Sequence, residues 1–178
     1  NVIHYSMELS ETHVGNRYDS RITGIPTKEL RRRMVEAENE LARFNGGQLM
    51  IKEYPPKVAT INTIKFHVGR LLSNGFDPDL IIIDYGDLMK SRRGYEQKRF
   101  ELESVFEDLR AMSMELKLPI WTATQSNRDG FNDEIITIDK VGEAINKAHV
   151  VDFFGTFSQR KFHVGKNRMG SANINFNI

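Results

Sequence analysis

The chain has 178 residues, of which 39% are hydrophobic and 28% charged, a length and composition typical of one globular domain with a hydrophobic core. The formal net charge is only +1, so the overall charge does not indicate nucleic-acid binding. The absence of cysteine excludes disulfide bonds and zinc–thiolate sites. No run of 18 apolar residues occurs, which excludes a membrane-spanning helix.

Strand-like and helix-like segments alternate through the first half of the chain. Residues 2–5 are typical of a buried strand, and Ser10 is placed to cap a helix that ends before Pro26. Thr27 is predicted to cap a second helix that runs to about residue 43, and a second strand follows at residues 49–51. Apolar residues at helical spacing predict a third helix at residues 60–72.

The second half begins with residues 80–83, an apolar run that predicts a strand buried on both faces. Residues 97–116 are predicted to form a helix with one apolar stripe, which consists of Leu102, Val105, Phe106, Leu109, Met112 and Leu116. Further elements are predicted as a strand at 120–124, a short helix near 140–147, and strands at 150–157, 161–165 and 172–178. This order predicts one α/β domain whose mostly parallel sheet is flanked by helices, with antiparallel strands at its C-terminal edge.

Two carboxylates follow predicted strands, and parallel sheets bind ligands beyond these strand ends. Asp84 ends the run at residues 80–83 and is placed like a Walker B aspartate, which acts through water on a nucleotide-bound Mg²⁺. The alternative is an aspartate that caps a turn. Glu8 follows the first strand, where a carboxylate can deprotonate the water that attacks a γ-phosphate. The alternative is a first-turn glutamate favoured by the helix dipole.

Three further polar residues follow later strands. Gln125 comes after the strand at 120–124, where a neutral amide can sense a γ-phosphate; alternatively it is a surface glutamine. Lys166 and Arg168 alternate in sequence and point the same way if their strand continues. They are candidates for a phosphate clamp, or for an exposed charged edge that discourages aggregation.

The order and spacing of these segments resemble the RecA-like C-terminal motor domain of DnaB-type hexameric replicative helicases, including those of phages. Residues 5–10 (YSMELS) are similar to that family's F-S-L-E-M, and residues 84–89 (DYGDLM) are similar to D-Y-L-Q-L-M. Residues 124–128 (TQSNR) are similar to S-Q-x-N-R, and residues 165–170 (GKNRMG) to A-K-x-R-x-G. Residues 95–119 follow the family pattern without gaps, and the colinear resemblance covers essentially the whole chain.

The resemblance implies that ATP and Mg²⁺ are the cofactors and assigns a role to each candidate. Glu8 becomes the catalytic glutamate, Asp84 the Walker B aspartate that acts on Mg²⁺, and Gln125 the residue that couples the nucleotide to DNA. Lys166 and Arg168 reach into the neighbouring subunit's site, with Arg168 as the arginine finger, because a guanidinium stays charged and grips two phosphate oxygens at once.

The resemblance also implies the partners. Loops at residues 90–98 and 128–139 would follow single-stranded DNA through the centre of a homo-oligomeric, hexameric ring. The basic residues of these loops are Arg92, Arg93, Lys98 and Arg128. Because the second loop is rich in Asp and Glu, Arg128 is its leading DNA contact. A primase or loader is an expected partner, with no membrane, in the cytoplasm of a bacterial cell or a phage-infected host.

One departure from the family pattern concerns the phosphate-binding loop. No G-x-x-x-x-G-K-[ST] occurs in the chain, although the other catalytic positions are kept. The expected explanation is that residues 1–178 form a single RecA-like domain truncated at its N-terminus. The alternatives are a RecA-like recombinase or circadian-clock-type ATPase, and a non-catalytic scaffold relative that has lost the loop.

Overall fold

The computed structural model describes residues 1–94, 97–125, 135–137, 144–158 and 160–178 of the chain. Its elements in chain order are β1 (Val2–Ser6), α1 (Glu11–Thr23), α2 (Met34–Arg43), β2 (Leu49–Glu53), α3 (Ile61–Ser73), β3 (Leu80–Asp84), α4 (Lys98–Leu116), β4 (Ile120–Thr122), α5 (Ala144–Val150), β5 (Phe153–Phe157), β6 (Lys161–Asn167) and β7 (Ile174–Asn177). Two short 3-10 helices cover Thr27–Glu29 and Gly86–Leu88. Among the described helices, none is long and apolar enough to cross a membrane.

The first four strands form one parallel sheet in the order β2-β1-β3-β4. Strand β1 is central, and Ser6 at its end lies beside both Glu53 and Asp84. The antiparallel strands predicted near the C-terminus are present as β5, β6 and β7. In the described part of the chain they pair with one another as a second sheet rather than with β4.

Helix ends follow from local sequence at three of the predicted positions. Ser10 caps α1 by accepting a hydrogen bond from the His13 backbone N–H, and Gly24 ends the helix with φ 72°. A left-handed residue of this kind favours glycine, which has no Cβ to clash. Thr60 and Thr63 form a reciprocal capping box at the start of α3.

The predicted start of the second helix is wrong. Thr27 begins a 3-10 helix in which its carbonyl accepts the N–H of Leu30, and α2 begins only at Met34. Leu30 is buried with Ile25 and Ala37 in a small apolar cluster. Leu30 is thus buried in the turn that precedes α2, and the α-helix starts only after this turn.

Helices α3 and α4 cover one face of the parallel sheet. The core between them is formed by Ile3, Tyr5, Met7, Ala59, Ile61, Ile64, Val68, Ile81, Ile83, Met89, Val105, Leu109 and Met112. The prediction that β3 is buried on both faces is wrong. Ile81 and Ile83 are fully buried, whereas Leu80 and Ile82 on the other face are only partly buried. On the opposite face, α1 packs against β2 and reaches β1 through Tyr18.

An exposed row of aromatic side chains joins the two sheets. Trp121 of β4 is 58% exposed, and its ring centroid lies 5.8 Å from that of Phe153 in β5. Phe162 of β6 stacks on Phe153 on one side and on Phe176 of β7 on the other. These ring contacts connect β4 to the second sheet across a surface that remains open to solvent.

Two methionines on α4 provide a matched test of the core. Met112 is fully buried, and Met112→Ala should lower the free energy of unfolding by about 2–5 kcal/mol through lost burial and a residual cavity. Met114 is 69% exposed, and Met114→Ala should change it by less than about 0.5 kcal/mol. Urea denaturation of both variants measures the difference. Equal effects would show that α4 does not present its Met112 face to the sheet.

Candidate active site

The carboxyl ends of β1 and β3 place Glu8 and Asp84 at the same edge of the sheet. Ser6 pairs with Asp84 in the parallel register, and the Met7 N–H donates to the Asp84 carbonyl at 2.7 Å. Glu8 follows Met7 and is exposed, whereas Asp84 is partly buried. The structure therefore brings together the two carboxylates that the sequence singled out.

Tyr85 connects these carboxylates to Gln125. The Gln125 Nε2 donates to the Tyr85 hydroxyl at 2.9 Å, and the peptide bond between Asp84 and Tyr85 is cis. Burial raises the pKa of Tyr85, and the negative charges of Glu8, Asp87 and Asp84 raise it further. Sequence reasoning gave Tyr85 no role, although its position directly after Asp84 was a usable signal.

A buried lysine fixes the segment that leads to Gln125. Lys147 of α5 is 2% exposed, and its Nζ donates to Asp87 Oδ1 at 2.7 Å and to Thr124 Oγ1 at 2.9 Å. Thr124 Oγ1 in turn donates to Asp87 Oδ2 at 2.7 Å, and the ammonium lies 5.2 Å from the centroid of the Phe106 ring. A buried charge needs such partners, because desolvation otherwise outweighs attraction. Strand β4 ends at Thr122, two residues earlier than predicted, and Thr124 serves this network.

His4 lies behind Asp84 on the face that α1 covers. Its Nδ1 is 2.9 Å from the Tyr18 hydroxyl, and its buried Nε2 has no hydrogen-bond partner among the described residues. Burial lowers the pKa of His4, and the Asp84 carboxylate opposes this effect. The Asp84 charge also raises the pKa of Tyr18, after the larger effect of burial. These interactions put the Asp84 side chain on the same face of the sheet as His4.

Lys166 and Arg168 form a separate cluster at the C-terminal end of α5. Strand β6 continues to Asn167, and both cations donate to the His149 carbonyl, Lys166 at 2.9 Å and Arg168 at 3.1 Å. Lys166 also donates to the Ala148 carbonyl at 2.6 Å, and Arg168 pairs with Asp152 at 2.9 Å. Their recorded partners in the described chain do not include Glu8, Asp84 or Gln125, so the structure does not bring these predicted residues into one site.

The predicted DNA contacts have different surroundings. Arg92 is exposed and forms a two-point ion pair with Asp108 of α4, with Nε 2.8 Å from Oδ2. Arg93 is exposed next to it. Lys98 begins α4, but its side chain lies outside the described residues, as does the whole of Arg128.

The donor set at the strand ends fits a magnesium nucleotide. Mg²⁺ prefers oxygen ligands and usually takes one or two carboxylates together with water and substrate phosphates. Asp84 supplies a carboxylate at the carboxyl edge of the sheet, and exposed Glu8 lies at the same edge. Within the described ranges no group of three or more His, Asp or Glu is placed to hold a metal by itself.

Comparison with known proteins places this arrangement in a family. Residues 1–134 match the family model described as the DnaB-like helicase C terminal domain. The chain belongs to this family. The expected RecA-like fold is also confirmed: a solved structure described as an ATPase domain superposes with a TM-score of 0.80 at 14% identity, over 96% of this chain and 68% of that one. A solved DnaB-like replicative helicase, described with its interactions with primase, superposes with a TM-score of 0.77 at 16% identity. The match covers 96% of this chain and 46% of that one.

Curated relatives of this DnaB-like domain are considerably longer. The DnaB-like replicative helicase of Enterobacteria phage T4 is 25% identical over 168 residues, which cover 86% of this chain and 34% of the relative. Probable plasmid replicative DNA helicases of Chlamydia muridarum and Chlamydia trachomatis are 28% and 29% identical over 179 residues, covering 94% of this chain and 39% of each relative. The chain thus spans 34–39% of the length of these relatives.

Acid should destabilise this DnaB-like domain through His4. Its folded pKa lies below the ordinary 6.5, so the unfolded chain binds a proton first as the pH falls. The contribution of neutral His4 to the free energy of unfolding is fully present above about pH 6.5. It is lost as the pH falls through the folded pKa, by up to about 1.4 kcal/mol per pH unit. The pKa of His67 is also lowered, chiefly by burial, and adds in the same direction. Urea denaturation between pH 7.5 and 5 should show a weaker pH dependence for His4→Gln than for wild type. An unchanged dependence would contradict this role.

Proposed function

We propose that the chain is most of the motor core of a replicative DNA helicase, which hydrolyses ATP to move along single-stranded DNA. The observation that carries this proposal is the convergence of Glu8, Asp84 and Gln125 at the carboxyl ends of neighbouring parallel strands, in a member of the DnaB-like family. The proposal applies to a longer protein that also contains a phosphate-binding loop, because no such motif occurs in residues 1–178. These residues would then form a single RecA-like domain without that loop.

The chemistry proposed for the strand ends is in-line attack of water on the γ-phosphate. Exposed Glu8 takes the proton of the attacking water as the oxygen–phosphorus bond forms and ADP leaves. Asp84 would hold Mg²⁺ through a bound water, and the ion when bound offsets the charge on the phosphate oxygens. The hydrogen bond from Gln125 to Tyr85 ties the segment after β4 to the carboxylate edge, so a change at the phosphate can be transmitted to Gln125.

Lys166 and Arg168 are proposed to act on the nucleotide of a neighbouring subunit in a hexameric ring. Both cations lie at the end of α5, and neither has a recorded contact with the carboxylate edge of its own chain in the described ranges. An arginine finger stabilises charge that develops in the transition state and is worth on the order of 1,000-fold in rate or more. A primase is a proposed partner, because a solved relative of the same fold is described with one.

Mixing two inactive variants of the longer protein tests this division of labour. Glu8→Gln should lower ATP turnover by roughly 100-fold or more with near-normal nucleotide binding, because it removes a general base. Arg168→Ala should lower turnover at least as strongly, and Lys166→Ala less, because an ammonium cannot grip two oxygens. Mixed rings of Glu8→Gln and Arg168→Ala should recover part of the activity, since some sites pair an intact Glu8 with an intact Arg168.

Two controls accompany this mixing experiment. Fluorescent labels on the two variants confirm that the rings exchange subunits, and titration of wild type with Arg168→Ala detects a requirement for all sites at once. Mixed rings that stay inactive without such a requirement would show that Arg168 acts within its own chain. Loss of ATP affinity with normal turnover in Glu8→Gln would remove Glu8 from the chemical step.

We further propose that Arg92, Arg93, Lys98 and Arg128 contribute to single-stranded DNA binding, with a larger contribution from Arg93 than from Arg92. The Arg92 guanidinium is held by Asp108, so binding a phosphate means competing with that ion pair. Arg93→Ala should therefore weaken binding of all sequences and reduce the slope of log affinity against log salt by about 0.7, the value of one phosphate contact. Arg92→Ala should have a smaller effect.

Fluorescence anisotropy with labelled oligonucleotides at several salt concentrations measures these slopes. Arg70→Ala is the matched control, because Arg70 is an exposed arginine on α3, outside the loops proposed to contact DNA. A slope for Arg93→Ala equal to those of wild type and Arg70→Ala would place Arg93 outside the DNA path.

A further inference from the structure

A third cation, Arg110 of α4, lies in the same cluster as Lys166 and Arg168. Its NH1 donates to the Val150 carbonyl at the end of α5 and to Asp152 Oδ1. The positive charges of Arg168 and Arg110 help to lower the pKa of Lys166, after the larger effect of burial and against the charge of Asp152. Arg110 therefore interacts electrostatically with Lys166, although the sequence analysis gave it no role.

Arg110 and Arg168 share a single acceptor atom. NH1 of each guanidinium lies 2.9 Å from Oδ1 of Asp152, whose side chain is 64% exposed. The two positive charges repel each other, and the negative charge of the Asp152 carboxylate offsets this repulsion. Planar guanidiniums that converge in this way match an oxyanion such as a phosphate as well as they match a carboxylate.

The pair borders an open cavity of about 350 Å³ between α4 and α5. Its lining consists of Glu107, Arg110, Ala111, Met114, His149, Val150 and Arg168. Within the described ranges, the hydrogen bonds of Arg110 to Val150 and Asp152 are made by NH1, and the guanidinium borders the cavity. Glu107 in this lining and Asp152 beside it balance the charges of the two arginines, and Lys166 leaves the cluster with one net positive charge.

We infer that Arg110 is a second phosphate-contacting arginine, which acts together with Arg168 on the nucleotide of the neighbouring subunit. Asp152 holds both guanidiniums in register before the subunits meet, and a phosphate oxygen then takes over part of its role. This inference rests on the proposed function, in which Arg168 works across the interface. The alternative is that Arg110 has only a structural role, in which it joins α4 to the end of α5 through the Val150 carbonyl.

Trapping of ADP–aluminium fluoride, which mimics the transferring phosphoryl group, separates these readings without relying on turnover. In the longer protein, Arg110→Gln should reduce retention of the complex by roughly 10- to 100-fold, the range expected for a lost charge-assisted hydrogen bond. Arg110→Lys should retain more, because it keeps the charge. The matched control Arg70→Gln removes an exposed arginine from α3 and should trap like wild type.

Melting temperatures and mixed rings show whether a loss of ADP–aluminium fluoride trapping comes from the Arg110 side chain itself. A melting temperature well above the assay temperature shows that Arg110→Gln is folded, and mixed rings of Arg110→Gln with wild type should trap at the sites that face a wild-type neighbour. Normal trapping by Arg110→Gln, while Arg168→Gln fails to trap, would overturn this inference alone. Normal trapping by both would overturn the interface role of Arg168, and the inference with it. If Arg110→Gln does not fold, Arg110→Lys decides: a folded Lys variant that traps like wild type would show that no guanidinium is needed and would overturn the inference.

Discussion

The parallel register between β1 and β3 is the constraint on which the candidate site depends. Ser6 lies beside Asp84, and the Met7 N–H is bound by the Asp84 carbonyl at 2.7 Å, so the two strands end at the same level. A shift of one residue would turn each side chain to the other face of the sheet. The buried row of Ile3, Tyr5, Ile81 and Ile83 against α3 and α4 makes such a shift unfavourable. The core thereby sets the spacing of Glu8 and Asp84.

Two sets of polar contacts extend this order beyond the parallel sheet. Lys147 joins α5 to Asp87 and Thr124, which holds the segment leading to Gln125 against the end of β3. In the last turn of the same short helix, three cations gather on the carbonyls of residues 148–150 and on Asp152. Helix α5 therefore links the carboxylate edge to the cluster proposed to face a neighbouring subunit. Cations are favourable at that end, because the helix dipole is negative there.

The sequence by itself determined the order of elements and most of the strand-end residues. Apolar runs and their spacing predicted every described strand, and Ser10 predicted the start of α1, because these signals act within a few residues. The motif resemblance predicted the family to which the chain belongs. Local signals failed at α2, which begins at Met34 after a 3-10 turn at Thr27, and at the partly exposed face of β3.

Only the tertiary structure decided which distant residues meet. Nothing local marks Lys147 as a buried ion-pair partner of Asp87, because 60 positions separate them in the chain. Arg110 and Arg168 likewise come from different elements, and only the packing of α4 against the end of α5 brings both onto one carboxylate oxygen. Periodicity describes neighbours along a helix or strand, whereas these contacts depend on how separate elements pack. The sequence therefore determined the candidate strand ends, and the fold selected the side chains that support them.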